Sequence, residues 1–248
     1  MGIQFNPLAN FLPIQAYEVW DLYRSSFPHV EELPALPPQF ETFGVPSGGA
    51  GFAFGLGRSP SRYWFGTQSG DQVIQFQADR LLHNWRKTGE GSSYPRFEAI
   101  LPRFKEEVAL FERYARDLGN ERLLINQVEI SYLNQIPVGS FEDALAPQRW
   151  LSFVSNTGTE PDEFHSATRY ILRDAAGVPF ARMHREVATG TDPSGRKVLQ
   201  LNFTVRGVPP GDSVDNALEF IAKGRHMINE HFIMATTQEA QTIWKRVR

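Results

Sequence analysis

The side chains best suited to recognition lie between Asp71 and Arg86. Gln75, Gln77, Asp79, Arg80, His83, Asn84, Trp85 and Arg86 follow one another within twelve residues, with Arg96 and Arg103 close behind. Gln and Asn side chains can each donate and accept hydrogen bonds. Arg can hold a carboxylate or phosphate with two parallel bonds, and Trp can stack on a flat ring. From Arg80 to Lys105 there are six Lys or Arg against two Glu, a local excess of +4 that suits an anionic group. This is the candidate ligand-binding set, and it spells out no reaction. A solvated sheet face ending in an Asp79–Arg80 pair explains the same residues without a ligand.

A second polar set lies further on. Arg182, His184 and Glu186 alternate with Ala181, Met183 and Val187, and His165 and Arg169 are expected on a facing strand beside Gln200, Asn202 and Thr204. A histidine beside a carboxylate can exchange protons near neutral pH, while cross-strand ion pairs on an exposed face account for the pattern equally well. Glu129 and Asn134 can join either set.

Other patterns are weaker. The segment 48–57, GGAGFAFGLG, lacks both the Lys-Ser/Thr ending of a phosphate loop and the G-x-G-x-x-G spacing, so a glycine-rich strand is the better reading. His226 and His231 stand five residues apart, about 140° around a helix, rather than on one face. No G-x-S-x-G elbow is present. Neither a metal nor a cofactor is expected, and no catalytic residue can be named.

Whole-chain properties narrow the partners. A net charge of −3 with scattered basic residues gives no field that would attract nucleic acid or an anionic membrane. The absence of cysteine removes disulfides, thiolate nucleophiles and thiolate metal sites together, and it fits a reducing compartment. No apolar run approaches a membrane-spanning length, and MGIQFNPLANF lacks a basic leader followed by an apolar stretch, so a cytoplasmic protein is expected. At 248 residues and 41% hydrophobic, the chain can fill a large core.

The elements that must position these residues follow from periodicity. Ile74, Phe76 and Ala78 alternate with Gln75, Gln77 and Asp79, which reads as a long strand from Asp71 with one apolar and one polar face, bulged or bent beyond Asp79. Before it come a short strand near 3–5, a helix from about Pro13 to Ser26, and strands at about 51–56 and 61–67. Residues 33–49 hold Pro34, Pro37, Pro38 and Pro46 with Gly44, Gly48 and Gly49, a composition that reads as a long loop serving as linker or lid.

Phe97, Leu101, Phe104, Val108, Phe111, Ala115 and Leu118 recur at helical spacing up to Gly119, with Pro102 expected to kink the helix or divide it. Strands at about 123–134, 150–155, 164–173, 179–188 and 196–206 follow, with a short helix near 140–147 and turns at 174–179 and 192–195. A long helix over 213–235, capped by Asp212 or Ser213, precedes a last one whose Thr236 and Glu239 have capping-box spacing.

The fold expected is α+β, an antiparallel sheet with long helices packed on one face. VIQFQADR at 73–80 and VLQLNFTVR at 198–206 share an opening, and both halves read strand, helix, strands, long helix. This suggests a duplicated unit with halves at 1–120 and 121–248, in a TATA-binding-protein-like or helix-grip-like layout.

Four segments, QFQADRLLHNWRK at 75–87, YPRF at 94–97, EISYLNQI at 129–136 and the TTQEAQTIWKR ending, resemble a sporadically distributed family of uncharacterised bacterial and archaeal proteins known as conserved proteins of unknown function. The resemblance implies no reaction, cofactor or catalytic residue. The family's patchy distribution is similar to that of mobile defence genes, which implies an antitoxin or immunity role as one reading. The residues themselves favour a non-enzymatic binding module that holds a protein partner or a small polar ligand. An enzyme or sensor for a phosphate-containing ligand, at Arg80, His83, Arg86 and Arg96, is the alternative. A homo-oligomer is left open.

Overall fold

In a computed structural model of the chain, residues 1–44, 61–89, 92–139, 145–159, 161–192 and 194–244 are described. The strand expected at 51–56, the glycine-rich segment 48–57 and the end of the Pro/Gly loop lie outside them. The chain is α+β, built on antiparallel strands and helices, and divides into two compact units, Met1–Glu129 with Gly207–Ile221, and Ile130–Arg206 with Ala222–Arg248.

In the first unit β1 (Gly2–Phe5), β2 (His29–Pro34), β3 (Ser61–Gly66), β4 (Gln72–Gln77), β5 (Arg80–Trp85) and the start of β6 (Ile125–Gly139) follow the sheet order β2-β3-β4-β5-β1-β6. A short helix α1 (Ala16–Asp21) and the long α2 (Phe97–Asp117) cover one face. Strand alternation puts Phe65, Ile74, Phe76, Leu81, Ile3 and Phe5 under these helices, all nearly inaccessible. Phe111 of α2 meets Phe5 and Phe76 at 5.3 and 5.5 Å between ring centroids, and Tyr23, after α1, meets Phe65 at 6.3 Å. Packed rings therefore fill the space between helices and sheet.

Three sequence expectations change here. The long strand from Asp71 is a hairpin: Gln77 pairs with Arg80, and Ala78-Asp79 make the turn. Neither turn residue has positive φ, so the connection lacks the Asn-Gly type of signal that marks hairpins in sequence. What closes it instead is the Asp79 carboxylate, which accepts from Gln77 Nε2 at 2.9 Å on one strand and from Arg80 Nε and an Arg80 terminal nitrogen at 3.0 and 3.1 Å on the other. The helix expected over 13–26 is a 3-10 turn (Pro13–Gln15) followed by six α residues, because the backbone amides of Ser26 and Phe27 both turn back to the Tyr23 carbonyl. Finally, α2 is one helix. Pro102 stands in its second turn, where the missing donor affects a single carbonyl near the exposed start.

The second unit has β6, β7 (His165–Arg173), β8 (Pro179–Thr191) and β9 (Lys197–Gly207), in the order β6-β9-β8-β7, with the long α4 (Val214–Ala235) continuing into it. Both turns between these strands use an Asp. Asp174 Oδ1 accepts from the amides of Ala176 and Val178, and Asp192 Oδ1 from those of Ser194 and Arg196. Gly177 and Gly195 supply the positive φ that each turn needs, so the expected turn positions hold. Met183, Leu201, Phe203 and Val205 form the core with Ile228, and Phe203 lies 6.2 Å from the Phe232 ring. Gly224 lets α4 approach so closely that a Cβ there would stand 2.8 Å from Ile130 Cγ2.

The strand expected at 150–155 is not formed: α3 (Pro147–Trp150) runs into a single bridge from Leu151 to Thr236. The last helix, α5 (Gln238–Ile243), is capped by Thr237 rather than Thr236, its hydroxyl accepting from the Ala240 amide. Trp150 and Trp244 stack at 5.9 Å beside it. Among the described residues no helix is long and apolar enough to cross a membrane.

Candidate functional site

The first-unit sheet face away from the helices carries the polar residues. Strand pairing sets Gln77 opposite Arg80, Arg80 opposite Gln4, and Gln4 opposite Gln127, so four strands contribute one continuous rung of hydrogen-bonding side chains. All four are buried: Gln77 is 5% exposed, and Gln4 and Arg80 are each 8% exposed. A buried amide or guanidinium without partners costs a few kcal/mol, which favours pairing of these groups.

The covering groups come from the proline-rich segment after β2. Gln77 Oε1 accepts from the Leu36 amide at 2.9 Å, and Gln77 Nε2 donates to the Leu36 carbonyl at 2.9 Å. Arg80 donates to the Pro37 carbonyl at 3.1 Å, and Gln4 Oε1 accepts from the Gln39 amide at 3.1 Å. Residues 35–40 thus form a strap across the rung. Every one of these bonds goes to strap backbone, while the Leu36 and Phe40 side chains stay 40% and 56% exposed.

Hydrogen-bonding capacity remains on this face. Arg62 and Trp64 of β3 lie on it, since Trp64 pairs with Gln75 and an Arg62 terminal nitrogen reaches Gln75 Oε1 at 3.4 Å. Arg62 Nε, Trp64 Nε1, Asn84 Nδ2 and Gln127 Oε1 are buried and have no hydrogen-bond partner among the described residues. Three are donors and one is an acceptor.

The candidate ligand-binding set therefore separates. Gln75, Gln77, Arg80 and Asn84 share the polar face, with Asp79 bracing its hairpin. His83 does not belong with them: three residues on from Arg80 along a strand, it points to the helix face. There its Nδ1 meets the Glu107 carboxylate at 2.8 Å, with the His83 side chain fully buried, Arg103 Nε 3.4 Å from the same carboxylate, and the Phe27 ring edge-on at 6.2 Å. Burial and the Glu107 charge push the nearby Tyr23 phenol well above its ordinary range, so it remains a donor, to the Glu107 carbonyl at 2.9 Å.

Trp85 also lies off the rung, 5.2 Å from the Tyr94 ring. Arg86 Nε is spent on the Gly70 carbonyl at 2.8 Å, and Arg96 is exposed at the N-cap of α2. The phosphate-site grouping of Arg80, His83, Arg86 and Arg96 is thus dispersed over two faces and two turns.

Sequence reasoning missed Gln4, Arg62, Trp64, Gln127 and Glu107. The first four occupy the polar phase of their strands, a signal already in the sequence. What it lacks is the strand order that aligns them. Glu107 replaces an apolar residue on the buried stripe of α2, the signal of a buried partner.

In the second unit the register sets Arg169 opposite His184, Ala167 opposite Glu186, Ile171 opposite Arg182 and His165 opposite Ala188. His165, Arg182, His184 and Glu186 therefore share one face, as the alternation implies. Gln200 joins that face beside Gly190, where a Cβ would stand 3.0 Å from its Nε2. Of the two helical histidines, His226 pairs with Glu230 at 3.3 Å, and the His231 ring lies 5.3 Å from that of Tyr170.

No protein-family model matches the chain, and no curated protein matches it. Among solved structures, the crystal structure of the di-domain ARO/CYC StfQ from the steffimycin biosynthetic pathway is similar over 94% of this chain and 95% of that chain, at 9% identity and a TM-score of 0.20.

Proposed function

We propose that this protein is a non-enzymatic binding module whose first-unit polar sheet face holds a protein partner or a small polar ligand. The observation that carries this reading is the buried rung Gln77–Arg80–Gln4–Gln127, from which Gln77, Arg80 and Gln4 each reach backbone groups lying on top of the sheet. The unspent atoms of Arg62, Trp64, Asn84 and Gln127 give it further recognition capacity. Two observations favour binding over catalysis. The hairpin carboxylate on this face, Asp79, is already taken up by Gln77 and Arg80, and the His83–Glu107 pair is sealed on the other side of the sheet. Packed rings beneath α2 favour the outer face over the helix–sheet interior as the place for a ligand.

The finer fold reading, a duplicated unit in a TATA-binding-protein-like or helix-grip-like layout, is part of the same proposal. In the first unit the opening strand β1 lies beside β5, the last strand of a meander that leads to a long helix. In the second, β6 lies beside β9 in the same way. The likeness of 73–80 to 198–206 contributes nothing, because the first segment is β4 running into β5 and the second is β9 alone.

The test is a photo-crosslinking amino acid placed at position 75 on the polar face, and separately at exposed His226, in cells of the native host. An adduct formed from position 75 and absent from position 226 is expected. Adducts at neither position, or equally at both, would overturn the proposal.

A further inference from the structure

Resting on that reading, we infer that the ligand of the rung is an extended, proline-containing polypeptide segment, and that the strap 35–40 is a built-in occupant that such a segment displaces. The face reads a backbone pattern. One residue, Leu36, offers both N–H and C=O; the next, Pro37, offers only C=O; the third, Pro38, offers nothing that is read; the fourth, Gln39, offers N–H. Proline has no N–H, and the two prolines stand where no N–H is needed, while the two positions whose N–H is read are not proline. The pattern is therefore x-Pro-Pro-x.

The spacing agrees with this assignment. Prolines fix their own φ and push the residue before them toward the extended region, favouring a polyproline-type segment. Such a segment rises about 3.1 Å per residue, so the three steps from Leu36 to Gln39 cover about 9 Å, which matches two strand spacings of about 4.8 Å each. Those are the two spacings from Gln77 across Arg80 to Gln4. One more spacing brings the path to Gln127, whose Oε1 has no partner among the described residues.

The manner of attachment separates this strap from an ordinary structural loop. A loop fixed for stability is expected to bury apolar side chains, whereas Leu36 and Phe40 stay substantially exposed and the backbone is what the rung grips. A backbone-read site is indifferent to those side chains. A segment supplied by another protein, with the same backbone pattern, satisfies the same atoms.

The experiment uses the full chain and a fluorescent peptide of residues 33–42, LPALPPQFET, read by anisotropy. In the variant Leu36→Pro/Gln39→Pro the two strap donors are removed while the rung is intact. A tethered competitor acts at roughly millimolar effective concentration, so its release is expected to tighten peptide binding on the order of tenfold or more relative to wild type. A peptide carrying the same two prolines is expected not to bind, and adding Gln77→Ala/Arg80→Ala is expected to abolish binding, with circular dichroism verifying the fold of each variant. Equal binding of both peptides, or binding that survives loss of Gln77 and Arg80, would overturn the inference. So would absence of binding by a folded strap variant. In that last case an adduct from position 75 would leave the face as a binding site with a different ligand, and absence of the adduct would remove both readings.

Discussion

Replacing Gln77 by alanine should loosen the strap selectively. Gln77 makes two bonds to Leu36 and one to Asp79, each 2.9 Å long. A net hydrogen bond contributes about 1 kcal/mol, so losing the Leu36 pair weakens strap docking by about 2 kcal/mol. Since 1.4 kcal/mol is a factor of ten, local opening should become about thirtyfold more frequent. Backbone amide exchange resolves this, because protection at an amide reports the opening that exposes it. The Gln39 amide, which keeps its Gln4 acceptor, should exchange about thirtyfold faster in Gln77→Ala, since Leu36 and Gln39 belong to one short segment, whereas the Leu36 amide loses its acceptor outright. Amides inside β4 and β5 should be far less affected. Gln75→Ala is the control: it removes a neighbour on the same face that makes no bond to the strap. Protection at Gln39 that changes less than threefold in Gln77→Ala, or equally in both variants, would refute the view that side-chain grip on backbone holds the strap.

The remaining predictions concern the frame of each unit. Glu107→Leu leaves His83 Nδ1 and Arg103 without their shared acceptor inside the helix–sheet layer, and a loss of about 2–3 kcal/mol is expected from urea unfolding. An unchanged midpoint would show that the pair is not stabilising. Gly224→Ala places a methyl 2.8 Å from Ile130 and 3.3 Å from Val205, so overpacking of about 1–3 kcal/mol should exceed the roughly 1 kcal/mol gained in helix propensity. A stabilised variant would contradict the close approach of α4. His231 has its pKa lowered, chiefly by burial and further by the Arg185 charge, against a smaller opposing effect of Glu230. Its neutral form is thus favoured in the folded chain, so its contribution to stability is complete above about pH 6.5 and declines as pH falls below that value. Urea midpoints at pH 7.5 and 5.5 should differ less in His231→Gln than in wild type.

Much of this architecture was readable from periodicity, and the misreadings have physical causes. The two long helices and the Asp-Gly turns of the second unit declared themselves because stripe and turn residues are local signals. The β4–β5 hairpin did not, since Ala-Asp carries no positive-φ preference and the turn is held by a carboxylate reaching both strands. β2 has no counterpart among the expected strands, because it is an exposed strand at the edge of the sheet order and ends in Pro34, inside the expected loop 33–49. The candidate site was legible only in part. Arg80 and Asn84 share a strand phase that excludes His83, but their alignment with Gln75 and Gln77 depends on the Ala78-Asp79 turn, which is hidden when the segment is read as one strand bulged or bent beyond Asp79. Gln4 and Gln127 lie 123 residues apart in sequence and meet only through strand order. The strap could be named as linker or lid from its prolines, whereas its backbone pattern becomes visible only against the rung.

The most direct test of the polar face as the binding surface is native mass spectrometry of the protein freshly purified from its own host, beside the Gln77→Ala/Arg80→Ala variant prepared identically. A mass bound to the wild type, released on denaturation and absent from the variant, is the result expected. An identical bound mass on both proteins, or none on either at partner concentrations that saturate the crosslink from position 75, would contradict it.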